Sequence, residues 1–276
     1  MSDSYSTWLG RREELHEELG ATLARRLAAT LSEPAPAAGE ALPPLWHWAY
    51  FFEPNPADEA GLGVDGHPAR GGFLPPADDR NRMAAGGRFE FHEPLKVGAP
   101  VTRTSTITRI EEKVGRTGAL LFVTVRHDYR QDGRVAFSEE QDIVYRAPSP
   151  PKLTGGEPLP AGDWREAVTP TPTLLFRYSA VTFNGHRIHY DWPYVTEAEG
   201  YPGLVVHGPL IATLNLQAFC RAHPEARLRR FAYRGLRPLI APTPFEVGGR
   251  IVAPGKAELW AGNADGIAQR AEVEFD

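Results

Sequence analysis

The polar residues that could do chemistry are concentrated in one tract of the second half of the chain. The tract begins at Asn184, contains His186 and His189, and ends at Gly208 in front of an apolar run. Histidine has an unperturbed pKa of about 6.5, which suits it to general acid–base catalysis. Pro209 favours the first turn of a helix. The N–H of Gly208 would then point out of a helix N-terminus, where it could stabilise an enolate oxyanion.

The same residue types also occur in metal sites, turns and helix starts. His186 and His189 could bind a metal as a pair, but no acidic or thiolate third ligand has ligand-like spacing, so we predict no metal and no cofactor. Asp191 starts an Asp-Trp-Pro segment, whose composition is typical of a turn. His207 precedes the predicted helix and favours a structural role at its start. The single cysteine, Cys220, is expected to be buried in that helix.

Leucines at every fourth position predict an amphipathic helix over residues 15–31. Residues 54–87 are rich in Gly, Pro and Asp, and loops of this length inside compact domains are often functional. β-Branched and aromatic residues predict strands at 88–91, 101–110, 120–129 and 135–145. Residues 147–172 hold seven prolines and indicate a linker.

The second half repeats this order of elements. We predict a strand at 174–179, a buried helix at 209–222 and strands at 228–233, 245–252, 256–261 and 268–275. Phe89-Glu90-Phe91 aligns with Phe231-Ala232-Tyr233, which indicates a weak internal duplication. The predicted fold class is therefore α+β, with two antiparallel sheets, each wrapped around a central helix.

Composition excludes several classes of protein. The chain has 30 basic and 35 acidic residues, a net charge of −5 and no basic stripe, which argues against nucleic-acid binding. No run approaches the ~18 apolar residues of a membrane span, and the N-terminus carries no targeting signal. We expect a cytoplasmic protein that binds neither nucleic acid nor membrane.

Two tracts of the second half resemble a known signature. They are Thr-Phe-Asn-Gly-His-Arg-Ile-His-Tyr-Asp at 182–191 and Glu-Gly-Tyr-Pro-Gly-Leu-Val-Val-His-Gly-Pro-Leu at 199–210. The chain is similar to MaoC-like (R)-specific enoyl-thioester hydratases and dehydratases, which have a hot-dog fold. It most resembles the subfamily of mitochondrial 3-hydroxyacyl-carrier dehydratases and bacterial mesaconyl-C4-CoA and itaconyl-CoA hydratases, also in Trp8-Leu9-Gly10-Arg11. His189, Asp191 and His207-Gly208 match the signature, whereas Asn184 replaces its aspartate and His186 its asparagine.

The resemblance implies a tandem, or double, hot-dog. Residues 1–150 would form a degenerate first hot-dog with the acyl pocket, residues 151–170 a linker, and residues 171–276 the hot-dog that carries the hydratase motif. A homodimer is an expectation from the same resemblance. The implied activity is that of a hydro-lyase adding water to the C=C bond of an enoyl-CoA, with itaconyl-CoA or mesaconyl-C4-CoA as substrate and a citramalyl-CoA type of product.

The resemblance also implies roles for individual residues. His189 would be the base toward water in hydration and the acid in dehydration, and Gly208 N–H would bind the thioester oxygen. Asn184 would orient water or substrate, because an amide cannot accept a proton as a carboxylate does. His186 and His207 are further candidates for substrate contact.

A dicarboxylate-derived acyl group would bring a buried carboxylate, which needs an arginine partner. Arg187 lies between the motif histidines, and Arg80 and Arg82 belong to the polar stretch Asp78-Asp79-Arg80-Asn81-Arg82 of the first half. We expect Arg80 or Arg82 to meet the carboxylate. The alternatives are a 3-hydroxyacyl-thioester dehydratase of fatty-acid synthesis and, from another class, a non-catalytic acyl-thioester-binding subunit.

Overall fold

An antiparallel sheet and three α-helices make up the described part of the chain. The computed structural model describes residues 3–52, 57, 61–77, 80–115, 118–148 and 150–276. The strands are β1 Arg12–Glu18, β2 Asn81–Phe91, β3 Pro100–Gly115, β4 Gly118–Gln131, β5 Arg134–Arg146, β6 Trp164–Val168, β7 Leu228–Gly235, β8 Phe245–Ala253, β9 Lys256–Asn263 and β10 Gly266–Phe275. The helices are α1 Ala21–Leu31, α2 Pro172–Val181 and α3 Gly208–Ala222.

All ten strands belong to one continuous sheet, in the order β1-β3-β4-β5-β2-β7-β10-β9-β8-β6. This corrects the expectation of two separate sheets, because β2 pairs directly with β7 and joins the two halves. The order read from either end is the same sequence of elements, β1-β3-β4-β5-β2 and β6-β8-β9-β10-β7. Phe89 and Phe231, which the internal duplication aligns, are cross-strand partners at the joint.

Helix α3 packs on the sheet of the second half and is apolar on most sides. It contacts β6, β8, β9 and β10, and most of its residues are buried. An apolar helix of this kind must be enclosed by other elements. In the first half, the place that α3 has before β7 is taken by a 3-10 turn at Trp46–Ala49 before β2. A central helix in the first half is therefore not confirmed, although α1 forms within the predicted range.

Two predicted elements are wrong. The helix predicted over 15–31 begins only at Ala21, because Arg12–Glu18 alternates in exposure and pairs with β3 as an edge strand. The strand predicted at 174–179 is helix α2, which Thr171 caps by accepting a hydrogen bond from the N–H of Leu174. Short apolar runs such as 174–176 do not distinguish a strand from a buried helix by periodicity.

The remaining strands and α3 agree with the sequence-based expectations to within a few residues, except that β2 starts earlier. It begins at Asn81, so Arg82 lies on a strand instead of in a loop. Residues 151–170 include β6, which pairs with β8. Within the described residues, no helix combines the length and the apolar character needed to cross a membrane.

Candidate active site

Four imidazole rings lie in a row that runs from the first half of the chain into the second. The ring centroids of His67 and His186 are 4.1 Å apart, and those of His186 and His189 are 5.3 Å apart. His189 stacks on His207 with a centroid distance of 3.6 Å. We call these four residues the histidine row. It brings the three histidines of the sequence tract together with a fourth from the segment before β2.

A backbone contact fixes the tautomer of His189. Its Nδ1 lies 2.7 Å from the carbonyl oxygen of Val205. A carbonyl oxygen only accepts, so Nδ1 carries the proton and Nε2 keeps its lone pair. The side chain is 6% exposed. Burial lowers the pKa of His189 to about 4, although the bond to Val205 acts in the opposite direction. The residue is therefore neutral at neutral pH, with the lone pair of Nε2 open to a proton donor.

The ring of His207 packs against the ring of His189. It is fully buried, and its Nε2 lies 2.8 Å from Oγ of Ser179 on α2. Burial holds the pKa of His207 well below its usual range. Its backbone is at the N-cap position of α3 without a side-chain capping bond. The stacked, buried ring fits the structural role better than direct contact with substrate.

Gly208 opens the 15-residue helix α3. The first N–H groups of a helix have no acceptor within the helix, and the dipole gives that end partial positive charge. In the described part of the chain, no acceptor is bonded to the Gly208 N–H. Its carbonyl oxygen accepts from Nε2 of Gln269, which fixes the peptide orientation. The N–H is thus available to a negatively charged oxygen.

Asn184 forms hydrogen bonds with backbone groups of the tract. Its Oδ1 accepts a hydrogen bond from the N–H of His186 at 3.0 Å, and its own N–H donates to the carbonyl of Ser179 at 2.8 Å. This Asx turn ties the end of α2 to the histidines. The side-chain oxygen that we expected to orient water is therefore already engaged in positioning His186.

Asp65 and His67 come from the Gly- and Pro-rich segment of the first half. Nδ1 of His67 lies 2.9 Å from Oδ2 of Asp65, and its backbone N–H donates to Oδ1 at 3.0 Å. Burial acts to raise the pKa of Asp65, but the hydrogen bond and charge of His67 outweigh it and hold that pKa below its usual range. Burial and the charge of Arg82 lower the pKa of His67. A carboxylate thus stands at one end of the histidine row.

A close contact between two glycines holds the segment with Asp65 and His67 against the tract that contains His186. A Cβ on Gly66, which has φ of +82°, would lie 2.0 Å from the carbonyl oxygen of Gly185. A Cβ on Gly185 would lie 2.5 Å from the carbonyl oxygen of Gly66. The N–H of Arg187 donates to the carbonyl of Asp65 at 2.9 Å. Only two glycines allow the backbones to approach this closely.

Arg187 is used to hold the segment in place. Its Nε donates to Oδ2 of Asp191 at 2.8 Å, and a terminal nitrogen donates to the carbonyl of Val64 at 3.0 Å. The guanidinium also lies over the ring of Tyr194, 4.2 Å from its centroid. Because these protein partners already engage the guanidinium, Arg187 is a poor candidate for the substrate carboxylate.

The two first-half arginines differ in their surroundings. Arg80 forms an ion pair with Glu112 at 3.7 Å. Arg82 faces Tyr145 across β2 and β5, close enough for a hydrogen bond to its hydroxyl, and its charge acts on His67 and His186. In the described part of the chain, no carboxylate forms an ion pair with Arg82. Asp78 and Asp79 lie outside the described residues.

The carboxylate end of the row has the donor atoms of a metal site. Ligand atoms of Asp65, His67 and His186 all lie within 4.8 Å of one another. This corrects the premise that His186 has no acidic partner, since sequence spacing does not reveal a ligand from the other half. Arg82 places a positive charge beside the same three residues, which disfavours a cation there.

Sequence reasoning did not find Asp65, His67, Tyr145 or Ser179. The usable signal was the length and Gly content of residues 54–87, which indicates a functional loop but no particular side chain.

Comparisons with known proteins give the family. Residues 45–241 match the family described as hydroxyacyl-thioester dehydratase type 2. The chain belongs to this family. It is 45% identical over 252 residues to a protein of Chloroflexus aurantiacus named mesaconyl-C(4)-CoA hydratase, with 89% of each chain covered. It is 28% identical to the mitochondrial hydroxyacyl-thioester dehydratase type 2 of Schizosaccharomyces pombe, over 75% of this chain and 77% of the relative.

Solved structures agree on the fold of this dehydratase family member. A MaoC-like dehydratase from Phytophthora capsici superposes with a TM-score of 0.72 at 14% identity, covering 97% of this chain and 96% of that one. A Mycobacterium tuberculosis protein described as a double hot-dog gives a TM-score of 0.56 at 14% identity, with 97% and 96% covered. The α+β class with double hot-dog neighbours is confirmed.

Proposed function

We propose that this hydro-lyase adds water to the C=C bond of a dicarboxylic acyl-CoA, with mesaconyl-C4-CoA as the first substrate to test and itaconyl-CoA as the second. The 45% identity to the Chloroflexus aurantiacus hydratase over 89% of both chains supports this choice. The buried base His189 and the free N–H of Gly208 supply the two functions that hydration of an enoyl thioester requires.

The reaction balances with one histidine. Nε2 of His189 takes a proton from water while the water oxygen bonds to the β-carbon. The π electrons of the C=C bond move toward the thioester oxygen, where the Gly208 N–H stabilises the enolate. The imidazolium then gives its proton to the α-carbon, and the carbonyl forms again. The sum is H on the α-carbon and OH on the β-carbon, with His189 neutral again.

The proposal of a dicarboxylic substrate rests on Arg82. In mesaconyl-C4-CoA the free carboxylate is attached to the β-carbon, the atom that water attacks. This carboxylate must therefore lie beside the histidine row. Burying it without a partner would be costly. Arg82 has its charge at this place, and no carboxylate of the described residues forms an ion pair with it, although the charge of Asp65 acts on it. Its planar guanidinium suits two-pronged binding of a carboxylate.

The test compares two substrates and two variants. Purified protein is assayed on mesaconyl-C4-CoA and on crotonyl-CoA, which has the same conjugated double bond but no carboxylate, by loss of enoyl-thioester absorbance. Arg82→Met should lower kcat/KM for mesaconyl-C4-CoA by about 100-fold, the loss typical of an unpaired buried charge, and leave crotonyl-CoA nearly unaffected. Arg88→Met, on the same strand but paired outward with Glu140, is the control. Equal kcat/KM for Arg82→Met and wild type on mesaconyl-C4-CoA would contradict the proposal.

A second candidate is dehydration of 3-hydroxyacyl thioesters. The match of residues 45–241 to the dehydratase family and the Schizosaccharomyces pombe relative favour it. It predicts higher kcat/KM on crotonyl-CoA and longer enoyl-CoAs than on mesaconyl-C4-CoA. A protein without turnover on any of these thioesters would instead support the acyl-binding alternative.

The division of labour between the halves is part of the proposal. Residues 1–150 form the acyl pocket, residues 171–276 carry the base and the oxyanion donor, and residues 151–170 connect them. We also propose a homodimer, which light scattering of the purified chain tests.

A further inference from the structure

The base His189 has no carboxylate beside it in its own half. In the signature that the tract resembles, an aspartate occupies the position of Asn184. An amide cannot take a proton, and the oxygen of Asn184 is already bonded to the N–H of His186. The charge that the row gains when His189 takes a proton from water therefore needs a counter-charge from elsewhere.

We propose that Asp65 and His67 of the first half are positioning residues that supply this missing carboxylate to the histidine row. Asp65 fixes His67, His67 orients His186, and His186 holds the attacking water beside Nε2 of His189. The inference rests on the proposed hydratase function and assigns the counter-charge of that same site.

One hydrogen bond, between His67 and Asp65, and two ring contacts link these residues. A carboxylate only accepts, so the 2.9 Å contact puts the proton of His67 on Nδ1. Its Nε2 is left as an acceptor, and the ring of His67 packs on the ring of His186 with 4.1 Å between the centroids. His186 in turn meets His189 edge-on, at an interplanar angle of 87°. A carboxylate that fixes the tautomer and orientation of a histidine is an established way to support acid–base catalysis.

Backbone contacts hold the segment with Asp65 and His67 against the histidine tract of the second half. The carbonyl of Asp65 accepts from the N–H of Arg187, and Gly66 and Gly185 pack back to back. The side chains of Asp65 and His67 keep 18% and 19% exposure, less buried than the other end of the row. The relay therefore lies where substrate and water can reach it.

Charge distinguishes a relay from a metal site. Arg82 and Arg70 both act on His67, and Arg82 acts on His186. Two cations beside three donor atoms repel a metal ion but attract an anionic substrate. Asp65, in contrast, favours the protonated form of His186, which is the direction a counter-charge must have during proton transfer.

The decisive variant is Asp65→Asn, which keeps the shape and removes the charge. We expect kcat to fall about 100-fold, within the range for acid–base catalysis, and KM to change less than about threefold. Asp128→Asn is the matched control, because Asp128 is also a partly buried carboxylate of the first half with a lowered pKa. Asn184→Asp should restore at least about tenfold in the Asp65→Asn background by returning a carboxylate to the tract. Equal kcat for Asp65→Asn and Asp128→Asn would overturn the inference.

Two further measurements do not depend on turnover. Side-chain ¹⁵N NMR of the full chain should show His67 protonated at Nδ1 in the wild type and lose that preference in Asp65→Asn; an unchanged tautomer would overturn the relay. Calorimetric titration with ZnCl2 should show no stoichiometric binding, and a site that Asp65→Asn abolishes would identify a metal centre instead. If the wild type turned over none of the thioesters, the proposed function would be refuted. The tautomer of His67 would still decide whether Asp65 positions this ring.

Discussion

Two clusters of histidine and carboxylate lie in the described part of the chain, and they differ in how completely their polar atoms are paired. In the first half, Glu139 is 1% exposed and accepts from Nε1 of Trp48 and the hydroxyl of Tyr129, and its Oε2 lies 3.0 Å from Nε2 of His47. Both oxygens of this carboxylate have protein partners. Such a satisfied cluster can orient the core around it but has nothing left to offer a ligand.

The histidine row is unsatisfied by comparison. Nε2 of His189 and the N–H of Gly208 have no protein partner in the described part of the chain, and Nδ1 of His207 is buried without one. Unpaired buried polar groups cost stability and are retained where they serve a function. Of these two clusters, only the histidine row therefore presents an open lone pair and an open N–H that a substrate could use.

The largest effect is expected from His189→Gln. Loss of the base should lower kcat about 1000-fold, within the range for general acid–base catalysis, with little change in the urea midpoint. His47→Gln replaces an equally buried histidine of the satisfied cluster, and it should lower the urea midpoint and leave kcat within a few fold. If both variants lost activity to the same extent, the comparison between the clusters would be broken.

A pair of substitutions at Gly208 tests the oxyanion donor. Gly208→Pro removes the N–H at the first position of α3, where a helix accepts proline, and the extended backbone of His207, with φ of −60° and ψ of 130°, is compatible with it. We expect kcat to fall about 100-fold. Gly208→Ala keeps the N–H, and its Cβ meets no atom within 4 Å. Similar kcat values for the two variants would argue against an oxyanion role.

The fold was predictable where local pattern and tertiary structure agree. The long strands follow from β-branched residues between turns, and α3 follows from its apolar composition. Residues 15–18, which belong to β1, and residues 174–179 were predicted wrongly because their structure depends on other elements. The first segment is a strand only because β3 offers an open edge, and the second is a helix whose Thr171-Pro172 start was the informative signal.

Only the residues that the second half contributes to the candidate site were predictable from the sequence. His189, His186 and Gly208 are close together in sequence, so composition and spacing could single them out. Asp65 and His67 meet them only because Gly66 packs on Gly185, a contact between residues far apart in the chain. A single sequence carries no signal for such a pairing.

Glu139→Gln tests whether the satisfied cluster contributes to stability and not to activity. Removal of the charge should lower the free energy of unfolding by about 2 kcal/mol, the value for hydrogen bonds to a charged group, and leave kcat unchanged. Glu140→Gln is the neighbouring control, since Glu140 pairs with Arg88 at the surface and such pairs contribute about 0–1 kcal/mol. Urea unfolding followed by circular dichroism measures both. Equal midpoints would mean that the buried carboxylate contributes no more than an exposed one.

The pH dependence of stability and of activity separates His127, whose pKa responds to the charge of Glu139, from His189 of the histidine row. Burial lowers the pKa of both His127 and His189 to about 4. The unfolded chain, with histidine pKa values near 6.5, then binds more protons than the folded one, so stability should fall as the pH drops from about 6.5 to 4. His127→Asn should flatten this dependence and leave kcat/KM unchanged. With neutral His189 as the proposed base, kcat/KM for hydration should show no titration near 6.5 between about pH 5 and 8. A loss of kcat/KM with an apparent pKa near 6.5, in protein that circular dichroism shows to be folded, would mean that the acting base is a solvated histidine and not the buried His189.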